Sequence, residues 1–311
     1  MRILVTGGAG FIGSHLVDAL IERQHQVAII DNLVTGQRQN INPKAIFHEA
    51  DIRDQAIAGI FERERFEVVF HQAAQMDVRR SVADPRYDAD VNIIGTLNLL
   101  QQCQKTGVHK VLFASTGGAI YGEQVAFPAD EEHPCWPSSP YGVTKLTCER
   151  YIHFFALNYG LKYALMRYAN VYGPRQNPHG EAGVVAIFCQ RMLRGEHPVI
   201  NGDGKQTRDY VYVGDVVQAN LLALEHPQSD YFNVGTGSET DVNAVFARLN
   251  EALEAGCKEV HGPAKAGEQL RSVLSYAKAR KILGWQPKVG IADGLHKTAR
   301  WFRDDSAKRT N

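Results

Sequence analysis

Short apolar runs alternate with longer amphipathic segments through the first half of the chain. The runs cover residues 3–5, 27–30, 45–47, 68–70, 111–113 and 163–166. Continuous apolar stretches of this length suit strands buried on both faces, and their alternation with helical segments predicts βαβ units in a parallel sheet. One helical segment, residues 91–103, carries apolar side chains at Val91, Ile93, Ile94, Leu97, Leu99, Leu100 and Cys103. That face is wider than contact with one sheet requires, and it predicts a second buried surface such as a subunit contact.

Residues 127–140 contain Pro128, Pro134, Pro137 and Pro140, each removing a backbone donor and disfavouring helix in the residue before it, so a long loop is expected there. Beyond about residue 171 the rhythm breaks into segments punctuated by Gly and Pro, with helices expected near 184–193, 213–224 and 243–253. The pattern as a whole predicts an α/β fold: a doubly wound parallel sheet over residues 1–170 and a smaller C-terminal α/β lobe over 171–311, interleaved with the first and closing over it.

Composition narrows the field. The 311 residues balance 34 basic against 34 acidic side chains, so no global field recruits nucleic acid or an anionic membrane, and any polyanionic partner must be met locally. The five cysteines are scattered without a CxxC pair or Cys/His spacing, which argues against disulfides and against a bound metal. No stretch reaches the length of a membrane span, and a cytoplasmic location is expected.

Thr6-Gly7-Gly8-Ala9-Gly10-Phe11-Ile12-Gly13 follows the first predicted strand and opens a helix expected to begin near Ser14. Glycines at Gly7, Gly10 and Gly13 permit a tight turn and let backbone N–H groups approach a pyrophosphate at the positive end of the helix. Such turns also arise merely to pack a helix on a strand, so the second strand decides. It ends in Asp31, 21 positions past Gly10, where a carboxylate accepts hydrogen bonds from the adenosine ribose and repels a 2′-phosphate. Strand, loop and acid in register point to NAD, with a plain Asp31-Asn32 turn as the alternative. Asp51-Ile52, after the third strand, is a further candidate for the adenine ring.

Tyr141-Gly142-Val143-Thr144-Lys145 follows the proline-rich loop. Four-residue spacing puts phenol and ammonium on one helix face, where a cation lowers a tyrosine pKa from about 10 and makes Tyr141 a candidate general base. Alone, such a pair is usually a surface feature. Its place after the fifth strand of a dinucleotide-binding start reverses that weighting.

Other segments complete a pattern: TGGAGFIGSHL from Thr6, DNL from Asp31, DI from Asp51, HQAAQ from His71, VN..GT from Val91, YG.TK from Tyr141, RYANVYGP from Arg167, GDGKQTRDYVYV.D from Gly202 and FNVGTG from Phe232. Jointly they resemble the extended short-chain dehydrogenase/reductase superfamily, and within its NAD-dependent epimerases and dehydratases the UDP-glucose 4-epimerases, over essentially the full chain. The resemblance implies a Rossmann-type sheet and an NAD that stays bound. Tyr141 would take the proton of the sugar 4-hydroxyl while C4 gives hydride to the nicotinamide; the 4-keto sugar would then rotate and receive hydride on its other face. Lys145 would hold the nicotinamide ribose and keep Tyr141 ionised. Cofactor contacts are implied at Phe11, Ile12, Asn32, Gln72, Ala73, Ala74, Asn92 and Ala169 as well, and a homodimer through the helix at 91–105 and the helix of Tyr141.

The chain departs from that pattern at Gly117, where many relatives carry a catalytic hydroxyl. Thr116 is expected to serve instead, with Ser115 or water as the alternative. Gly117-Gly118 also lacks the adjacent acids by which 4,6-dehydratases protonate and abstract. On the substrate side the resemblance implies Asn170 at the sugar and diphosphate, and Arg208 as a bidentate partner of the diphosphate. It also implies a phosphate and ribose element at Lys265 and Glu268, with Arg271 a possible substitute because lysine lacks the planar fork. Ser272, where some relatives are bulky, predicts room for an N-acetyl group. The competing readings are a uronate epimerase or decarboxylase, a 4,6-dehydratase, or a non-catalytic NAD sensor; the retained Tyr141 and Lys145 disfavour the last.

Overall fold

All six apolar runs fall on strands; five are buried by the helices packed on the sheet, whereas the third, at the sheet edge, is only partly covered. The computed structural model describes residues 1–178, 183–264 and 269–310. Its first half runs β1 (Arg2–Thr6), α1 (Phe11–Glu22), β2 (Gln26–Asp31), β3 (Ile46–Glu49), α2 (Ile57–Glu64), β4 (Val68–His71), α3 (Val78–Ala83), α4 (Pro85–Ala89), α5 (Gly95–Thr106), β5 (Lys110–Thr116), α6 (Gly117–Ile120), α7 (Pro140–Tyr159) and β6 (Lys162–Tyr168). The second half runs β7 (Asn170–Tyr172), α8 (Val184–Leu193), β8 (Val199–Asn201), β9 (Thr207–Arg208), β10 (Tyr210–Tyr212), α9 (Val213–Glu225), β11 (Asp230–Val234), β12 (Thr240–Asp241), α10 (Val242–Leu253), β13 (Val260–Gly262), β14 (Arg271–Ser272), α11 (Ala277–Leu283) and α12 (Ile291–Thr310). Helix α1 starts at Phe11, three residues before the expected Ser14, because the last turn of the glycine loop is itself helical.

Seven strands pair in the order β11-β6-β5-β4-β1-β2-β3, every neighbour parallel. The winding reverses between β1 and β4, which creates a crevice beyond their carboxyl ends where a Rossmann-type sheet receives its ligand. Alternate side chains of the strands feed two cores. Ile3, Val5, Ile29, Phe70 and Met166 pack under α1 and α9; Leu4, Ile30, Val69, Phe113 and Leu165 pack under α2, α5 and α7. A third core unites α8, α10 and α12 around Phe188, Val245 and Leu295.

The chain returns to the large sheet after its first excursion. Strand β11 pairs with β6, and Val216, Leu221 and Phe232 lie in the core under α1. These residues come from the stretch beyond residue 170, so the second half contributes a helix and an edge strand to the first lobe.

Candidate active site

The glycine loop lies at the β1–β4 reversal. Gly7 has φ +70°, a left-handed conformation that favours glycine, and a Cβ there would stand 2.8 Å from the Ala73 nitrogen. A Cβ on Gly13 would come within 2.1 Å of the Gly7 carbonyl oxygen, so only glycine lets α1 sit down on the turn. Gly10 occupies the N-cap and supplies no side-chain bond. The first-turn N–H groups of Phe11, Ile12 and Gly13 therefore have no intrahelical acceptor, which is the arrangement that receives a pyrophosphate.

Asp31 closes β2 beside this loop. Its Oδ2 accepts from the Ala9 N–H at 3.0 Å and its Oδ1 from the Leu33 N–H at 2.8 Å, so it both begins the turn with Asn32 and braces the glycine loop. Burial pushes this carboxyl above its usual value, against the pull of the two N–H groups. Asn32 donates to Asp51 at 2.8 Å, and Arg53 grips both Asp51 oxygens at 2.9 Å, holding that carboxyl down to about 2. Asp51 thus ties Asn32 and Arg53 together, with Ile52 buried behind it. Across the crevice the Ala73 N–H donates to Thr6 Oγ1 at 3.2 Å, followed by half-buried Ala74. The buried Oε1 of Gln72 has no partner among the described residues. Ala169 is pinned by its N–H to the Val234 carbonyl at 3.0 Å. An uncapped helix N-terminus, an orphaned acceptor and a carboxylate at the end of β2 together fit a dinucleotide.

Helix α7 presents the Tyr-Lys pair. Ser139 caps it by accepting from the Gly142 N–H at 3.2 Å, Pro140 opens it, and Tyr141 sits in the first turn with its N–H on Ser81 Oγ at 3.2 Å. The Tyr141 side chain faces that of Thr116 at the end of β5. Burial, with help from the negative charge of Asp88, pushes the phenol above its usual value, and the Thr116 hydroxyl opposes this. Lys145 does not pair with the phenol as the helical spacing predicts: its Nζ donates to the Ala114 carbonyl at 2.8 Å and stands 4.6 Å from the centre of the Phe113 ring. Burial pulls Lys145 down to about 8. The direct phenol–ammonium pair expected from the spacing is therefore replaced by two separate contacts, one at Thr116 and one at the Ala114 carbonyl.

Strand alternation decides between the two hydroxyl candidates. Thr116 turns toward Tyr141, whereas Ser115 points to the other face and donates to Glu149 Oε1 at 2.5 Å. Glu149 is itself clasped by Arg167 at 2.7 and 3.0 Å, so the Ser115 hydroxyl is engaged away from Tyr141. A Cβ at Gly117 would lie 2.4 Å from Leu274 Cδ1, so a hydroxyl residue there requires Leu274 to shift. At Gly118 a Cβ would have Asn170 Oδ1 and Thr116 Oγ1 each at 3.8 Å, so Gly118 borders the space shared by those two side chains and leaves it open.

Other expected residues are placed differently. Asn92 is a brace: its Nδ2 donates to the Gln75 carbonyl at 3.0 Å and to Asp88 at 3.1 Å, and its Oδ1 accepts from the Gln75 N–H at 2.9 Å. In the three-stranded sheet β12-β9-β14, Ser272 stands beside Arg208 and Arg271 beside Thr207. Successive side chains alternate faces, so Arg271 and Arg208 start from opposite faces of this sheet. Arg271 makes a bidentate pair with Glu239 at 2.7 and 3.0 Å and stacks 3.9 Å from the centre of the Phe127 ring. Lys265 and Glu268 lie outside the described residues. Missed entirely was Asp88, fully buried behind α7. The available signal was the polar ladder Asp88, Asn92, Thr96, spaced four apart on an otherwise apolar helix face.

Comparison with known proteins identifies the scaffold. The family model described as the NAD dependent epimerase/dehydratase family matches residues 3–235. The chain belongs to this family. A UDP-glucose 4-epimerase from Thermotoga maritima, solved with UDP-glucose, is 53% identical with a TM-score of 0.96, covering 98% of this chain and 100% of that one. The Thermus thermophilus UDP-glucose 4-epimerase complexed with NAD is 47% identical with a TM-score of 0.92, covering 97% and 99%. The UDP-glucose 4-epimerase of Mycolicibacterium smegmatis is 44% identical over 98% of this chain and all of its own length. In this member of the epimerase/dehydratase family, no described helix is long and apolar enough to cross a membrane.

Proposed function

We propose that this chain interconverts UDP-glucose and UDP-galactose while holding NAD in the crevice between β1 and β4. The observation that carries the reading is the Tyr141 side chain facing Thr116 at the end of β5, the strand next to β4. Bound NAD would supply a hydride acceptor and donor at the sugar C4. Thr116 orients the 4-hydroxyl, Tyr141 removes and returns its proton, and Lys145 holds the cofactor ribose and lowers the cost of the phenolate. Asn170 and Arg208 serve the sugar and the diphosphate. The absence of acids at Gly117-Gly118 favours epimerisation over 4,6-dehydration, and the open space at Gly118 with the small Ser272 favours acceptance of N-acetylated UDP-hexoses.

The same reading treats the chain as two interleaved lobes, residues 1–170 and 171–311, working as a cytoplasmic homodimer. Free cysteines throughout the described residues suit a reducing compartment. The outer face of α7, with Val143, Tyr151, Phe154 and Leu157 exposed, suits pairing with a second copy.

The test is product analysis without added NAD, supplying UDP-glucose, UDP-galactose and their N-acetyl and uronic acid counterparts. Interconversion of the first pair is expected. Tyr141→Phe should lower kcat by about 10²–10⁴ while the purified variant keeps its NAD. A decarboxylated or 4-keto-6-deoxy product would overturn the assignment.

A further inference from the structure

Lys145 is buried, where an ammonium is costly unless groups of the protein replace its water. Among the described residues it forms no ion pair. Its Nζ donates to the Ala114 carbonyl at 2.8 Å and stands 4.6 Å over the centre of the Phe113 ring. Two consecutive residues of β5 therefore make its seat, one through a carbonyl oxygen and one through the electron-rich face of an aromatic ring. The two contacts differ in what they favour. A neutral amine can also donate to a carbonyl, whereas only the cation is drawn to the ring face.

The ring itself is held in place. Phe113 is buried and stands in register with His71 of β4 and Leu165 of β6. The His71 ring lies 5.5 Å from it, centre to centre, and is pinned at both nitrogens: Nδ1 is 2.7 Å from Thr6 Oγ1 and Nε2 is 2.9 Å from Thr96 Oγ1. Burial holds the imidazole down to about 3, so no second cation competes for the ring.

The remaining titratable groups around this seat are Tyr141, Cys148 and Glu149 on α7 and Asp88 on α4. Burial raises the Cys148 thiol, Arg167 clasps Glu149, and Asp88 takes hydrogen bonds from Gln75 and Asn92. Burial pulls Lys145 down to about 8, against the opposing pull of Cys148, Asp88 and Glu149. None of these groups is hydrogen-bonded to the ammonium, so the Phe113 ring is the nearest feature of the seat that distinguishes ammonium from amine.

Resting on the reading of Lys145 as the cation of this centre, we propose that Phe113 is a positioning residue whose ring face seats the Lys145 side chain and keeps it charged. Weakening the negative potential of that face makes the ammonium a stronger acid without emptying the space it rests on.

Replacing Phe113 by mono-, di- and trifluorophenylalanine does this while preserving the shape of the ring. In the NAD-loaded protein isotopically labelled at lysine Cε, the Lys145 resonance, assigned by its loss in Lys145→Met, should titrate at progressively lower pH. The shift should reach about half to one unit across the series, and the alkaline limb of kcat/KM should move with it. Phe113→Leu, which keeps apolar bulk and removes the ring, should shift the titration in the same direction. A ring that only fills space would give one Lys145 titration throughout the fluorinated series, and that result overturns the proposal whatever Phe113→Leu does to Tm. Failure of the underlying reading is separable: it would appear as activity surviving Tyr141→Phe or Lys145→Met, whereas the resonance is followed without turnover.

Discussion

A Cβ at position 117 would come within 2.4 Å of Leu274 Cδ1, and Leu274 has little freedom to withdraw. It is fully buried, and its N–H is bonded to Asp209 at 3.2 Å. Gly117→Ser should destabilise the protein by about 1–3 kcal/mol through overpacking, read by urea denaturation. Leu274→Ala removes the colliding methyls and should cost about 2–5 kcal/mol alone. The double variant should be more stable than the sum of the two costs predicts, because the serine fills space the leucine vacated; strict additivity would refute the steric account. Residue-level legibility followed local spacing. The glycine turn, the place of Asp31 at the end of a strand and the place of Tyr141 and Lys145 on one helix were readable because each is set by its neighbours in sequence. Ser115 and Thr116 differ only by which face of β5 they take, and Arg271 was decided by Glu239, 32 residues away. Such choices depend on strand register and long-range pairing, which motif spacing does not encode.

At the scale of elements, the contact between α1 and the glycine turn is the most exposed to substitution. Gly13→Ala would force its methyl onto the Gly7 carbonyl at 2.1 Å, tilting the helix whose first-turn N–H groups, on the proposed reading, would face the cofactor phosphates. The variant should purify with far less than one NAD per chain, measured by denaturing release and quantitation, while the far-UV circular dichroism stays close to that of the parent. Full NAD occupancy would refute the cradle. The strands that were legible were those with continuous apolar runs, including the partly exposed edge strand β3. Strand β11 was not, because Asp-Tyr-Phe-Asn-Val alternates polar and apolar residues and joins the sheet only through β6. The helix around residue 91 was legible in kind but shifted in phase. A π-helical turn over Asp90–Ile94 inserts extra residues into the period, turning Asn92 inward and leaving Ile94 52% exposed.

For the whole molecule, the three cores account for most large apolar side chains, and several of the exposed remainder share one helix. The inner face of α7 is filled by Thr144, Cys148, Glu149, Ile152 and Phe155. Its outer face shows Val143, Phe154 at 47% and Leu157 at 73% exposure. These outer positions recur at helical spacing, which makes a continuous apolar stripe and not a scatter of single residues. The chain has no net charge, so long-range repulsion does not oppose association of two copies. Since α7 also carries Tyr141 and Lys145, burying its outer face would hold the catalytic turn more firmly against β5. Phe154→Asp combined with Leu157→Asp should convert a dimer into a monomer in sedimentation velocity, because a two-fold contact repeats each introduced charge on both copies. The monomer should remain folded, since neither side chain belongs to an internal core. Its Tm should become independent of concentration, whereas that of the parent should rise with concentration. A parent chain that sediments as a monomer at micromolar concentration would refute the pairing and leave the stripe without this role.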